Sequence, residues 1–161
     1  MEDDDNQEFD SGSADSSNTT PIAANEACKK GLYMAMKGRP VKIVDISTSK
    51  TGKHGHAKMH ITAIDIFNGK KYEELVPTSH NVPVPIVERN DYTLVTIGDD
   101  GFLTLMSADN ETREDLKLPE GELADQIRSS YDEANRSGKQ VSLTVYKAMG
   151  IEQVMQQKII D

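Results

Sequence analysis

The chain is predicted to be all-β, two small antiparallel barrels behind a disordered acidic tail, on three observations. Between Gly31 and His80, short β-prone runs alternate with turn signals, and no stretch shows helical periodicity. Val82-Pro83-Val84-Pro85 then interrupts the pattern, its two prolines removing backbone donors and stiffening the chain into an extended connector. Beyond that boundary a second group of strands encloses a single amphipathic segment. The expected division is therefore residues 1–20 as tail, 21–85 as first barrel and 86–161 as second.

The tail contains Asp3-Asp4-Asp5 and a run rich in Ser, Thr and Asn, with Phe9 its only large apolar side chain after Met1. Such a composition cannot bury enough surface to offset chain entropy. It also lacks the apolar core of a signal peptide and the arginines of a mitochondrial leader. In the first barrel the expected strands are Leu32 to Met36, Val41 to Ile46, Met59 to Phe67 and Lys71 to Val76, with turns at Lys37-Gly38-Arg39-Pro40 and Asn68-Gly69. A closed barrel leaves no free sheet edge.

In the second barrel Tyr92 to Ile97, Phe102 to Met106 and Thr112 to Leu118 read as strands, the first two joined by Gly98-Asp99-Asp100-Gly101. Leu123, Ile127 and Tyr131 fall at i, i+4 and i+8, the spacing of one helix face, and Pro119 and Glu120 suit its first turn. Asp132 to Gln140 reads as a loop. Val141, Leu143 and Val145 return to strand alternation, and Ile151 to Ile160 is open between a short helix and a final strand. A helix between the third and fourth strands is the arrangement of the OB-fold, a partly open barrel.

The formal net charge of −9 conceals a division along the chain. Residues 1–20 carry seven acidic and no basic side chains, 21–87 ten basic against five acidic, and 88–161 eight basic against fifteen acidic. A polyanion would feel the local field of the basic middle, so the acidic total does not exclude RNA. The acidity of the second barrel and its few aromatics point at least as much to protein as to RNA. Cys28 is the only cysteine and so cannot form an intramolecular disulfide; a small core residue is the expected role. No apolar run approaches the ~20 residues that span a bilayer, and a soluble cytoplasmic protein is expected.

Chemistry concentrates in Ser47-Thr48-Ser49-Lys50-Thr51-Gly52-Lys53-His54-Gly55-His56-Ala57-Lys58, which places Lys53 between two glycines where a hairpin should turn. Lys50, Lys53, Lys58, His54 and His56 share this stretch with no acid among them, so it should repel cations and attract phosphate. From residue chemistry alone it is a solvated tip. His54, His56 and His60 do not suggest zinc, because Lys53 and Lys58 interleave with them. No nucleophile accompanies His80 and Asp91, and Gly-x-Ser-x-Gly and phosphate-binding loops are absent, so no catalytic residue is expected. Asp99-Asp100 and Glu114-Asp115 are adjacent pairs whose carboxylates point apart, and read as solvated faces. Lys29-Lys30 and Lys70-Lys71 extend the basic surface or are merely soluble faces, and Met34, Met36, Met59 and Met106 read as core fillers.

Thr51-Gly52-Lys53-His54-Gly55-His56-Ala57 resembles the loop of the eukaryotic translation initiation factor 5A family. So do Ile64-Asp65-Ile66-Phe67 with Gly69-Lys70-Lys71-Tyr72-Glu73, and Arg113-Glu114-Asp115-Leu116 with Leu118-Pro119-Glu120-Gly121; together the likeness runs over residues 22–161. Val76-Pro77-Thr78-Ser79-His80-Asn81-Val82 follows the family pattern only loosely.

The resemblance implies an SH3-like first barrel and the conversion of Lys53 to hypusine, by an aminobutyl group from spermidine followed by hydroxylation. It implies a non-enzymatic factor that binds the ribosome, positions peptidyl-tRNA, promotes peptide bonds at stalling sequences such as consecutive prolines, and also acts in termination. Deoxyhypusine synthase and deoxyhypusine hydroxylase would be its modifying partners. Their NAD and iron belong to them, and this chain needs no cofactor of its own. Lys50, Thr51, Gly52, His54, Gly55, His56 and Lys58 would shape the tip and its RNA contacts. No membrane partner is implied, and homodimerisation is left open. The alternative reading is a general single-stranded RNA-binding adapter that does not depend on modification.

Overall fold

The computed structural model describes residues 19–50 and 57–161. They fall into two compact units, one up to Val87 together with Ala148–Gly150, the other Glu88–Lys147 with Ile151–Asp161.

The first unit contains β1 (Thr19–Ala23), a single helical turn α1 (Ala24–Ala27), β2 (Tyr33–Met36), β3 (Arg39–Lys50), β4 (Ala57–Asp65), β5 (Lys71–Pro77) and β6 (Asn81–Pro85). The order β2-β3-β4-β5 forms one antiparallel sheet and β1-β6 a second, and β6 lies along β2 so that both wrap one core. Alternation explains the strands: Met59, Ile61 and Ala63 of β4 point inward with Val41 and Ile43 of β3, while Lys58, His60 and Thr62 face the other way. Lys37 and Gly38, both at positive φ, make the two-residue turn between β2 and β3. Met34, Met36 and Met59 are core residues as expected, and Cys28 is buried with them. Burial first, and the nearby Glu74 carboxylate second, push the Cys28 thiol up, so it stays protonated and unreactive.

Two expectations fail here. Thr19 and Thr20, assigned to the disordered tail, are strand β1; residues 1–18 lie outside the described set. Val82-Pro83-Val84-Pro85, read as a connector, is most of β6. Its register places Pro21 opposite Pro83 and Thr19 opposite Pro85. Antiparallel rungs alternate between hydrogen-bonded and non-hydrogen-bonded pairs, so prolines confined to one set cost the ladder nothing, and Thr20↔Val84 and Ile22↔Val82 supply the bonds. Buried Val82 then anchors the strand.

The second unit is β7 (Glu88–Ile97), β8 (Phe102–Met106), β9 (Thr112–Lys117), α2 (Glu122–Ser137), β10 (Gln140–Ala148) and β11 (Ile151–Ile160), in the order β11-β10-β7-β8-β9. β11 also runs beside β9, and Arg113 reaches from β9 to Glu152 of β11 at 2.8 Å, which bridges the two edges of the sheet. This is the OB arrangement with its helix between the third and fourth strands. The open question over Ile151–Ile160 is settled as strand. Ile127 is fully buried on α2, with Leu123 and Tyr131 packed on the same core. The expected loop from Asp132 is corrected: the helix continues to Ser137, since Ala134 adds one more buried contact, and stops at Gly138, a left-handed cap at φ 69°.

Candidate functional site at the base of the lysine hairpin

β3 and β4 form a long hairpin arm whose last rungs are Thr48↔Met59, Ser49↔Lys58 and Lys50↔Ala57. Thr51, Gly52, Lys53, His54, Gly55 and His56 lie outside the described residues, so the structure describes the stem and not the tip. Lys50 and Lys58 are both exposed. They occupy neighbouring rungs and therefore opposite faces, Lys58 facing with Ser49 and Lys50 with Ala57. The stem thus presents one ammonium on each side of the strand pair.

The two strands are held unequally. Toward its end β3 buries nothing, from Ser47 to Lys50, and its only pairing partner there among the described residues is β4. β4 is paired on its other side with β5, through Met59↔Val76 to Lys58↔Pro77, and both Met59 and Val76 belong to the core. One rung further, the Ala57 carbonyl accepts the backbone N–H of Thr78 at 3.0 Å and the Thr78 hydroxyl at 3.2 Å. Neither Thr78 nor the pairing is evident from the sequence, because the rung joins residues 21 apart and is defined only by the register.

Three other side chains near the arm, His60, Lys30 and Lys71, meet carboxylates. His60 Nε2 stands 2.9 Å from Glu73 Oε1, Lys30 faces Asp45 at 3.6 Å and Lys71 faces Glu73 at 3.8 Å, all on exposed side chains. His60 therefore meets a carboxylate, while His54 and His56 are outside the described residues. Among the described residues no cluster has the makings of a metal site. At the far end of β4, buried Asp65 accepts Arg39 Nε at 2.6 Å and the backbone N–H groups of Phe67 at 2.8 Å and Asn68 at 3.1 Å. Burial alone would raise its pKa, but these donors outweigh it and hold the carboxyl below the usual range. Asp65 thereby fixes the turn that launches β5, the strand on which β4 leans.

The second unit offers few free aromatic faces. Arg113 lies over Tyr92 at 5.5 Å, Arg89 over Tyr146 at 5.1 Å and Lys117 over Phe102 at 5.1 Å, while Tyr131 packs on the core. Rings covered in this way are poor platforms for base stacking. The Asp115 carboxylate, one of the paired acids, is bound by Arg113 and held low by it, and Asp100 accepts the Phe102 N–H in its turn. A cavity of about 520 Å³ between α2 and β7–β8, lined among others by Leu94, Met106, Tyr131, Asn135 and Lys139, contains no carboxylate, histidine or cysteine.

Comparison with known proteins follows both units. A family model described as translation initiation factor 5A-like, N-terminal, matches residues 17–80, and one described as eukaryotic elongation factor 5A hypusine, DNA-binding OB fold, matches residues 86–158. The chain belongs to the eukaryotic translation initiation factor 5A family. It is 51% identical over 155 residues to the eukaryotic translation initiation factor 5A of Spodoptera exigua, covering 96% of this chain and 94% of that one. To the 5A-1 factor of Saccharomyces cerevisiae it is 51% identical over 149 residues, 92% and 91% of the two chains. A solved translation initiation factor 5A family protein from Naegleria fowleri superposes with a TM-score of 0.77 at 45% identity, over 88% of this chain and 99% of that one. Initiation factor 5A proteins are translation factors and not enzymes, and the family carries the hypusine modification. Lys53 falls within the first matched region.

Proposed function

We propose that this chain is a ribosome-binding translation factor that acts when Lys53 is converted to hypusine. The observation that supports the reading most is the stem on either side of residues 51–56, the stretch that contains Lys53: its last rungs bury nothing on β3, and Lys50 and Lys58 are exposed on its two faces. Deoxyhypusine synthase would transfer the aminobutyl group of spermidine to the lysine, and deoxyhypusine hydroxylase would add the hydroxyl. One charge becomes two on a longer, slim stem. Such a group can enter a crevice lined by phosphates that a barrel cannot enter, and make charge-assisted hydrogen bonds near the acceptor end of peptidyl-tRNA.

The ribosome would perform the chemistry while the factor supplies orientation, the entropic part of catalysis, where substrates such as consecutive prolines react poorly and in termination. Residues 21–85 would carry the modified loop, Lys50, Thr51, Gly52, His54, Gly55, His56 and Lys58 would shape recognition, and residues 86–161 would extend along the tRNA. None of the described helices is long and apolar enough to cross a membrane; the cytoplasm is the proposed location. Peptide mass spectrometry on protein from its native cell tests the modification: the expected result is the hydroxylated aminobutyl mass on Lys53. Unmodified native Lys53, or the mass on Lys50, overturns the reading.

A further inference from the structure

We propose that Thr78 is a positioning residue for the modification of Lys53, its hydroxyl holding the strand that leads out of the modified loop. The inference rests on the reading of Lys53 above. The Ala57 carbonyl is the first acceptor after residues 51–56, and it receives two donors from one residue, the Thr78 N–H at 3.0 Å and the Thr78 hydroxyl at 3.2 Å. The preceding β5 residue, Pro77, sits opposite Lys58 on a non-hydrogen-bonded rung, so the last described bond of the ladder toward the tip is made by Thr78.

Thr78 is itself fixed. The His80 N–H donates to the Pro77 carbonyl at 3.1 Å, closing a turn around Thr78, and the His80 carbonyl accepts the Ala24 N–H at 2.8 Å, where Ala24 is fully buried. A chain of hydrogen bonds therefore runs from the core to the base of the stem. Among the described residues the opposite strand has no such support, since Ser47 to Lys50 are exposed and pair there only with β4. Beyond the β4–β5 rungs Met59↔Val76 and Lys58↔Pro77, the last described support of the stem is at Ala57.

The step at issue forms a C–N bond between Lys53 Nζ and the aminobutyl carbon of spermidine. That carbon's bond to the departing nitrogen of 1,3-diaminopropane breaks, and the amine takes the proton Lys53 gives up. The enzyme's NAD accepts a hydride and returns it, so there is no net oxidation. An enzyme that must bind a loosely held lysine loses affinity to the ordering of the loop, which appears in KM rather than in kcat.

The test uses the full unmodified chain, the purified aminobutyl-transferring enzyme, NAD and labelled spermidine. Thr78→Val keeps the shape and the backbone rung but removes the hydroxyl. The expected result is a KM for the protein raised about fivefold, the worth of one hydrogen bond, with kcat nearly unchanged and Thr78→Ser close to wild type. Amide hydrogen exchange at Lys50 and Ala57 should quicken in the valine variant and not in the serine variant. Should the valine variant unfold, Thr78→Ala gives the same comparison. An unchanged KM with unchanged exchange overturns the inference while wild type is still labelled at Lys53; wild type that takes no label there overturns the reading of Lys53 itself.

Discussion

A carboxylate without solvent must find its donors inside the protein, and Asp65 finds three, from Arg39 and from the Phe67 and Asn68 backbone. Removing one partner of such a pair leaves a buried charge or polar group unpaired. Asp65→Asn is expected to cost about 3 kcal/mol, read by denaturant unfolding at neutral pH. The pH dependence has a defined sign. The folded carboxyl titrates below its ordinary value of 3.8, so its contribution is present above that value and lost as pH falls through the lower folded pKa. The gap between wild type and Asp65→Asn should therefore narrow in acid, and a gap constant with pH would contradict the assignment. None of this was legible in the sequence. Asp65 is only one letter of Ile64-Asp65-Ile66-Phe67 in the sequence, and its partner Arg39 lies 26 residues away and is brought to it by the pairing of β3 with β4. The stretch around Lys53 differs in that its family resemblance lies in contiguous residues, Thr51 to Ala57, which a sequence shows without any pairing.

At the scale of elements, alternation was enough wherever one strand face is buried and the other is wet. Met59-His60-Ile61-Thr62-Ala63 declares β4, and Val141, Leu143 and Val145 declare β10. It failed where the chain hides its pattern. β6 carries prolines at alternate positions, which reads as a stiff linker until the register shows Pro83 and Pro85 sharing the non-donating rungs, Pro83 opposite Pro21 of β1. The last turns of α2 are Asp132-Glu133-Ala134-Asn135-Arg136-Ser137, polar apart from Ala134, so the one buried side chain gives too little period to distinguish helix from loop. Ile127 is the opposite case, fully buried at the centre of that helix among Leu105, Leu143 and Val154 of the same core. Ile127→Ala is expected to destabilise by about 3 kcal/mol through lost burial and a residual cavity. Urea unfolding followed by the amide signals of β8 and β10 would show it, and a loss under 1 kcal/mol would mean that α2 contributes little to the second core.

For the whole molecule the question is whether charge at the tip suffices or the added chain is required. Lys53→Arg separates the two, since arginine keeps one positive charge but cannot accept the aminobutyl group. Surface substitutions usually change stability by no more than about 0.5 kcal/mol, so if Lys53 acts from an exposed tip, as proposed, thermal unfolding of the variant should match wild type. Function should not survive. In a reconstituted translation assay on a message encoding consecutive prolines, modified wild type is expected to relieve the stall and Lys53→Arg to leave it in place. If the variant works as well as the modified protein, a fixed charge on a basic unit is sufficient. The general RNA-binding adapter then becomes the better account, and its affinity for single-stranded RNA should fall steeply with salt and be indifferent to Lys53.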